Sequence, residues 1–143
     1  MPKSVLIVDD SRVVRQALCQ FFETSPEWKV VGEAADGAEG IQTAIELKPD
    51  LILLDVSMPK MNGVETASVI KKLLPDVYII AFTLFDGTLG PRLSSAVGVD
   101  LVVPKAEGLT GLVNAIRQLI GTSGITRQRS QTDQSKPGIT DQT

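Results

Sequence analysis

The sequence contains no histidine, a single cysteine and few aromatic side chains, the last making up 4% of its 143 residues. Without histidine, the commonest general base, the commonest metal ligand and the usual physiological pH switch are all missing. Any chemistry must therefore run on carboxylates, hydroxyls and lysines. The lone Cys19 excludes an internal disulfide and fits a cytoplasmic location. No apolar run approaches the ~20 residues that a membrane span needs. The opening Met1-Pro2-Lys3-Ser4-Val5 lacks the basic, apolar and small-residue succession of a signal peptide. Basic residues are also in deficit: 14 Lys and Arg against 17 Asp and Glu give a net charge of −3. That balance argues against a nucleic-acid-binding surface of any size, since such surfaces rely on Lys and Arg to displace counterions. No direct nucleic-acid contact and no membrane partner are expected.

What the sequence does have is alternation. Residues 4–8 (SVLIV) read as a short strand, followed by Asp9-Asp10-Ser11 and a helical run with Val14, Leu18, Phe21 and Phe22 on one face. Residues 29–33 form a second strand. Asp36-Gly37 opens a second helix over 38–47, with Ile41, Ala44, Ile45 and Leu47 as its apolar face. Residues 51–54 (LILL) are an uninterrupted apolar strand, and Asn62-Gly63 precedes a third helix carrying Val64, Ala67, Ile70 and Leu74. A fourth strand spans 77–82. The segment 87–97 is helical only in its second half, because Gly87, Gly90 and Pro91 weaken its first turns. Residues 100–103 give a fifth strand, and a last helix runs over 109–120 with Leu112, Val113, Ile116, Leu119 and Ile120 inward. Five βα units whose strands are apolar throughout predict an α/β fold with a parallel sheet covered on both faces. Residues 1–121 make this domain. Residues 122–143 are polar, with Ile125 and Ile139 as their only large apolar side chains. Ordering such a tail costs tens of kcal/mol of backbone entropy, at roughly 1–2 kcal/mol per residue. Each buried isoleucine returns about 1.5–3 kcal/mol, so a disordered tail or linker is expected.

Open α/β sheets bind ligands outside the carboxyl ends of their strands. There, strand one delivers Asp9-Asp10, strand three Asp55, strand four Thr83 and strand five Pro104-Lys105. Strand two offers only Glu33-Ala34. Clustered carboxylates must protonate, accept a salt bridge or bind a cation, and an all-oxygen donor set suits Mg²⁺. Lys105 and Thr83 supply a positive charge and a hydroxyl for phosphoryl oxygens. A carboxylate flanked by such groups is a plausible phosphoryl acceptor, because positioning and charge neutralisation are most of that chemistry. Singly, each residue has a plainer role: Asp10 and Ser11 as helix caps, Thr83 as a strand-end hydroxyl, Lys105 as a solvated charge. Their convergence on one sheet edge favours the site.

The stretches Val5-Leu6-Ile7-Val8-Asp9-Asp10-Ser11, Gly32-Glu33-Ala34-Ala35-Asp36-Gly37, Pro49-Asp50-Leu51-Ile52-Leu53-Leu54-Asp55 and Met58-Pro59-Lys60-Met61-Asn62-Gly63 resemble the receiver domain of two-component response regulators. The likeness is greatest to receivers that precede helix-turn-helix output domains. The spacings from Asp10 to Asp55, to Thr83 and to Lys105 are similar to the family's. The resemblance implies a doubly wound (βα)5 domain with the flavodoxin-like strand order 2-1-3-4-5, acting in phosphorelay signal transduction. It implies that Asp55 is the phosphoacceptor, fed by a histidine kinase, a phosphotransfer protein or a small phosphodonor. It implies Mg²⁺ as cofactor, held by Asp9, Asp10, Asp55 and the backbone carbonyl of Ser57. Thr83 and Lys105 become the phosphoryl-sensing pair, which shifts the face made by the segment 87–97, the fifth strand and the last helix. The domain would promote only its own phosphorylation and dephosphorylation, and would not be an enzyme on other substrates. Implied partners are the kinase, a downstream protein or an output domain beyond the tail, and a second copy of the chain in a homodimer. The exposed side of the first helix, around Arg12 and Arg15, is the implied kinase-facing surface.

The chain departs from the family pattern in places. The switch position in strand five, usually aromatic, is Val102; Pro104 precedes Lys105 and Ala106 follows it; Leu84 stands where a small residue is usual and could crowd the phosphoryl pocket. The expectation is that phosphorylation survives while the aromatic switch does not, with the outward face or Phe85 carrying the signal. Two rival classes share parts of this pattern. A flavodoxin-type protein would need a Ser/Thr/Gly phosphate cradle after strand one, where Asp9-Asp10 would repel a flavin phosphate. An aspartate-based phosphatase of the dehalogenase type needs an Asp two residues after its nucleophile, and Ser57 follows Asp55 at that distance.

Overall fold

The computed structural model describes residues 2–56, 63–84 and 98–120. Five strands, β1 (Lys3–Val8), β2 (Trp28–Ala34), β3 (Leu51–Leu54), β4 (Tyr78–Thr83) and β5 (Leu101–Pro104), pair in parallel in the order β2-β1-β3-β4-β5. The helices are α1 (Arg12–Glu23), α2 (Gly37–Leu47), α3 (Gly63–Leu73) and α4 (Gly108–Ile120), with a 3₁₀ turn at Lys105–Glu107. The helix expected over 87–97 and the tail expected over 122–143 lie outside the described residues. Among the described residues no helix is long and apolar enough to cross a membrane.

Successive strand side chains point to opposite faces of a sheet, and here both faces are dry. Leu6, Val8, Ile52, Leu54, Ile79 and Ala81 meet Ala44 of α2 and Ala67 and Ile70 of α3. Val5, Ile7, Leu51, Leu53, Ile80 and Phe82 meet Leu18 and Phe22 of α1 and Leu112, Ile116 and Ile120 of α4. That two-sided burial is why strand β3 is unbroken leucine and isoleucine, with no residue more than 1% exposed. Parallel strands need crossover helices. This strand order sends the chain outward from β1 to β2, then back past β1 to β3, so the direction of winding reverses between β1 and β3. Open α/β sheets bind their ligands at such a point, outside the strands' carboxyl ends.

Helix α2 keeps half of the expected face, since Ala44 is buried and Ile41 packs on the core. Ile45 and Leu47 are exposed, and the buried residues are Gly37, Gly40 and Ala44. The cause is close approach: a Cβ on Gly40 would sit 3.0 Å from Val8 Cγ1, so the helix lies on β1 through its smallest residues. Its start is held reciprocally. The Asp36 carboxylate accepts from the Glu39 amide at 2.8 Å, and the Glu39 carboxylate accepts from the Ala35 amide at 2.8 Å. Strand β5 begins one residue later than expected, although the Asp100 amide already donates to the Ile79 carbonyl of β4 at 2.8 Å, and its Oδ2 accepts from the Ile79 amide and pairs with Lys71, both at 2.8 Å. Pro104, which has no N–H, is tolerated because β5 is an edge strand.

Candidate functional site

The carboxyl ends of β1 and β3 carry Asp9 and Asp55 as direct continuations of the sheet. The Asp9 amide donates to the Ala34 carbonyl at 3.0 Å, and the Asp55 amide to the Val8 carbonyl at 2.9 Å. Strand pairing therefore fixes both backbones before any side chain is considered. Both residues are buried, at 2% and 4% exposure. Thr83, the last residue of β4 and wholly buried, donates its hydroxyl to Asp55 Oδ1 at 2.7 Å. Lys105, in the turn after β5, places Nζ 3.2 Å from Asp55 Oδ2 and 2.9 Å from Asp9 Oδ2. Asp10 completes the group from the exposed side, with carboxylate oxygens of Asp9, Asp10 and Asp55 all within 4.8 Å of one another. Val102 is half-buried against the α2/α3 side of the core. Ser57, Phe85 and Gly90-Pro91 lie outside the described residues.

Of the pair that could have been mere helix caps, Ser11 is the cap and Asp10 is not. Ser11 Oγ accepts from the Val14 amide at 3.3 Å, while its own amide donates to Asp9 Oδ1 at 2.8 Å. Leu84 does not crowd the pocket. Its side chain is 65% exposed, turned outward by the alternation that points Thr83 inward. Arg15 is not part of an exposed basic face either. Its Nη1 donates to the Asp9 carbonyl at 2.7 Å and its Nε to Glu33 Oε1 at 3.0 Å, leaving the side chain 16% exposed. Arg12 alone of the two is exposed. Glu33, the one charged residue that β2 offers at its carboxyl end, thus serves Arg15 and not the acidic group. The available signal was helical spacing: Arg15 lies three residues before Leu18, so a cation was being carried towards the sheet and needed a partner.

Three carboxylates and one ammonium leave a formal excess of two negative charges. Two carboxylates no more than 4.8 Å apart repel by at least about 3.5 kcal/mol at an effective dielectric of 20. Burial pushes the Asp9 carboxyl above its ordinary range, against the hydrogen bonds from Lys105 and Ser11, and the Asp55 charge adds to the rise. Burial alone would lower the Lys105 ammonium. The hydrogen bond to Asp9 and the charges of Asp55 and Asp9 together outweigh burial and raise it. A raised carboxyl means that ionised Asp9 opposes folding at neutral pH, and that this opposition vanishes as pH falls below the unfolded value of about 3.9. In metal-free buffer, Asp9→Asn should therefore be more stable than the parent at pH 7 in urea unfolding. The gain should shrink towards zero by about pH 3.5. A constant gain across that range would show that charge is not its source.

An excess of negative charge on hard oxygen donors, partly buried and open on the Asp10 side, fits a small divalent cation such as Mg²⁺. Burial also pushes the Cys19 thiol up to about 11, helped by the neighbouring Glu33 carboxylate, which leaves it protonated and unreactive at neutral pH. Two surface clefts of about 430 and 640 Å³ flank β2 and do not include the carboxylate group.

Comparison with known proteins matches residues 5–117 to the response regulator receiver domain. The chain is 36% identical over 127 residues to the response regulator protein VraR of Staphylococcus saprophyticus, covering 87% of this chain and 60% of that protein. The chain thus spans about 60% of this relative's length. Among solved structures it resembles the response regulator TrrA of Thermotoga maritima in complex with Mg²⁺ and BeF, with a TM-score of 0.72 and 28% identity, covering 82% of this chain and 98% of that one. It also resembles the complex of the P1 domain of CheA3 with CheY6 from R. sphaeroides, with a TM-score of 0.70 and 31% identity, covering 85% and 98%.

Proposed function

Because this chain belongs to the response regulator receiver domain family, we propose that it is a phosphorylation-driven switch in a two-component system, with Asp55 as the acceptor. The observation that carries this reading is the pairing of both Asp55 oxygens, one with the Thr83 hydroxyl and one with the Lys105 ammonium. Those two groups sit where the oxygens of a newly attached phosphoryl group need partners. An Asp55 oxygen attacks phosphorus, the bond from phosphorus to the donor's nitrogen or oxygen breaks, and the donor leaves with that electron pair. The product is an acyl phosphate on Asp55. Lys105 then transfers its contact from carboxylate to phosphoryl oxygen, and Thr83 follows. Asp9, Asp10, Asp55 and the Ser57 carbonyl would hold Mg²⁺, which supplies neutralisation of the transferring group's charge.

The TrrA complex, with Mg²⁺ and a beryllium fluoride group, and the pairing of CheY6 with a CheA3 domain support the cofactor and a kinase or phosphotransfer partner respectively. The length relation to VraR supports a receiver that works as one part of a longer cytoplasmic regulator, with output through β5, α4 and the segment before them. With Val102 at the switch position, the response does not run through an aromatic side chain in β5, and the outward face or Phe85 carries it instead.

The test is intact mass after incubation with acetyl phosphate and Mg²⁺. The parent should gain one phosphoryl group, and Asp55→Asn and metal-free samples should gain none. A folded parent that gains nothing would remove Asp55 as acceptor. Hydrogen exchange on the phosphorylated protein that changes around Val102 alone would count against the rerouted output.

A further inference from the structure

Asp10 is the exposed member of the acidic group, and its position is set through its backbone. The carbonyl of Asp9 and the amide of Asp10 share one rigid peptide plane. Arg15 Nη1 holds that carbonyl at 2.7 Å, and Arg15 Nε is held in turn by Glu33 Oε1 at 3.0 Å. The second Glu33 oxygen is met by the Cys19 thiol at 3.5 Å. The Asp9 amide, on the other side of that residue, is bonded to Ala34, the residue after Glu33. One fork-shaped guanidinium therefore ties the end of β2 to the peptide that precedes Asp10. Arg is suited to this task because its planar fork meets two acceptors in fixed directions, which a lysine ammonium cannot do. Neither side chain contributes to the acidic group itself.

We infer that Arg15 and Glu33 form a positioning pair that fixes the Asp9–Asp10 peptide plane, and so aims Asp10 at the bound cation. The inference rests on the Mg²⁺ reading above. It turns strand β2, which delivers no residue to the pocket, into a support for it. Electrostatics alone demands the opposite sign for Arg15: removing a cation from beside an acidic cluster should tighten Mg²⁺ binding. Removing a positioning residue should loosen it, as outer-sphere partners of metal ligands characteristically do, by about 10-fold or more.

The measurement is calorimetric titration of the unphosphorylated full chain with MgCl₂, at raised ionic strength so that distant charge effects are screened. Each variant is held at a temperature where circular dichroism reports it folded. Arg15→Met should weaken Mg²⁺ binding about 10-fold, and Arg15→Lys should restore only part of it. Glu33→Gln should weaken it less. The double variant should be no weaker than Arg15→Met alone, because the two act through one peptide. The Glu33 side chain is 44% exposed, so its neutralisation leaves the fold intact even if Arg15→Met unfolds. Unchanged or tighter binding in Arg15→Met, or an unchanged Glu33→Gln, overturns the inference while leaving the cation site standing. A folded parent that takes up no Mg²⁺ overturns the cation reading and this inference with it.

Discussion

Lys105→Met loses about 3 kcal/mol of stability in metal-free buffer at pH 7, which lowers the melting temperature by roughly 10 °C for a domain of this size. Methionine keeps the length of the stem, so the loss reports charge and not packing. Its source is the pair of buried carboxylates that Lys105 meets at 2.9 and 3.2 Å. Breaking such a pair leaves its partners charged and uncompensated, which typically costs about 3–5 kcal/mol. The opening on the Asp10 side admits water and places this case at the lower end. The raised Lys105 ammonium gives the sign of the pH dependence. Its contribution is complete below the ordinary lysine value of about 10.4 and is lost as pH rises through the raised one. Saturating Mg²⁺ should close much of the gap between variant and parent, because a divalent ion takes over the same compensation. A variant as stable as the parent without metal would mean that the carboxylates are neutralised in some other way.

Gly63→Val should cost at least about 3 kcal/mol and abolish phosphorylation even where the protein stays folded. A Cβ on Gly63 would lie 2.2 Å from the Cα of Val56 and 2.9 Å from its carbonyl carbon. Both are backbone atoms, so no rotamer change relieves the clash. Either α3 or the chain at Val56 must move, and Val56 directly follows Asp55, the proposed acceptor. Gly32→Ala is the control. There the nearest atom is Leu47 Cδ1 at 2.9 Å, at the tip of an exposed side chain that can swing into solvent, so the cost should be about 1 kcal/mol or less. Urea unfolding of both variants with phosphorylation of the survivors checks the pair. Equal costs would show that proximity to backbone is not the determinant.

Much of this architecture is already written in the residue pattern. The strands were legible because burial on both faces forces continuous apolar runs such as Leu51–Leu54. The convergence of Asp9, Asp55, Thr83 and Lys105 was legible because each falls at or just past a strand end, where open sheets place their ligands. Half of the α2 face was legible in Ile41 and Ala44; the rest was not, because periodicity reports hydrophobicity and not distance, and β1 approaches so closely that Gly40 is inside while Ile45 and Leu47 are out. Arg15 was misread because a cation near the start of a helix looks like a solvated face until its acceptors are known. One of those acceptors is a backbone carbonyl, which leaves no trace in residue identity. Leu84 was misread for want of the local direction of the chain after Thr83.

The central position of β3 has a consequence for timing. Its residues are at most 1% exposed, it is bonded on both sides, and the Asp55 amide continues that pairing. Amides in such a place open only with the whole domain, whereas edge strands such as β5 open in smaller, more frequent fluctuations. Asp55 therefore stays registered with Thr83 throughout the everyday breathing of the molecule, while Lys105 follows the edge strand that precedes it. Asp55 is thus gripped on one side by a hydroxyl of the interior sheet and on the other by an ammonium carried on its more readily opened edge.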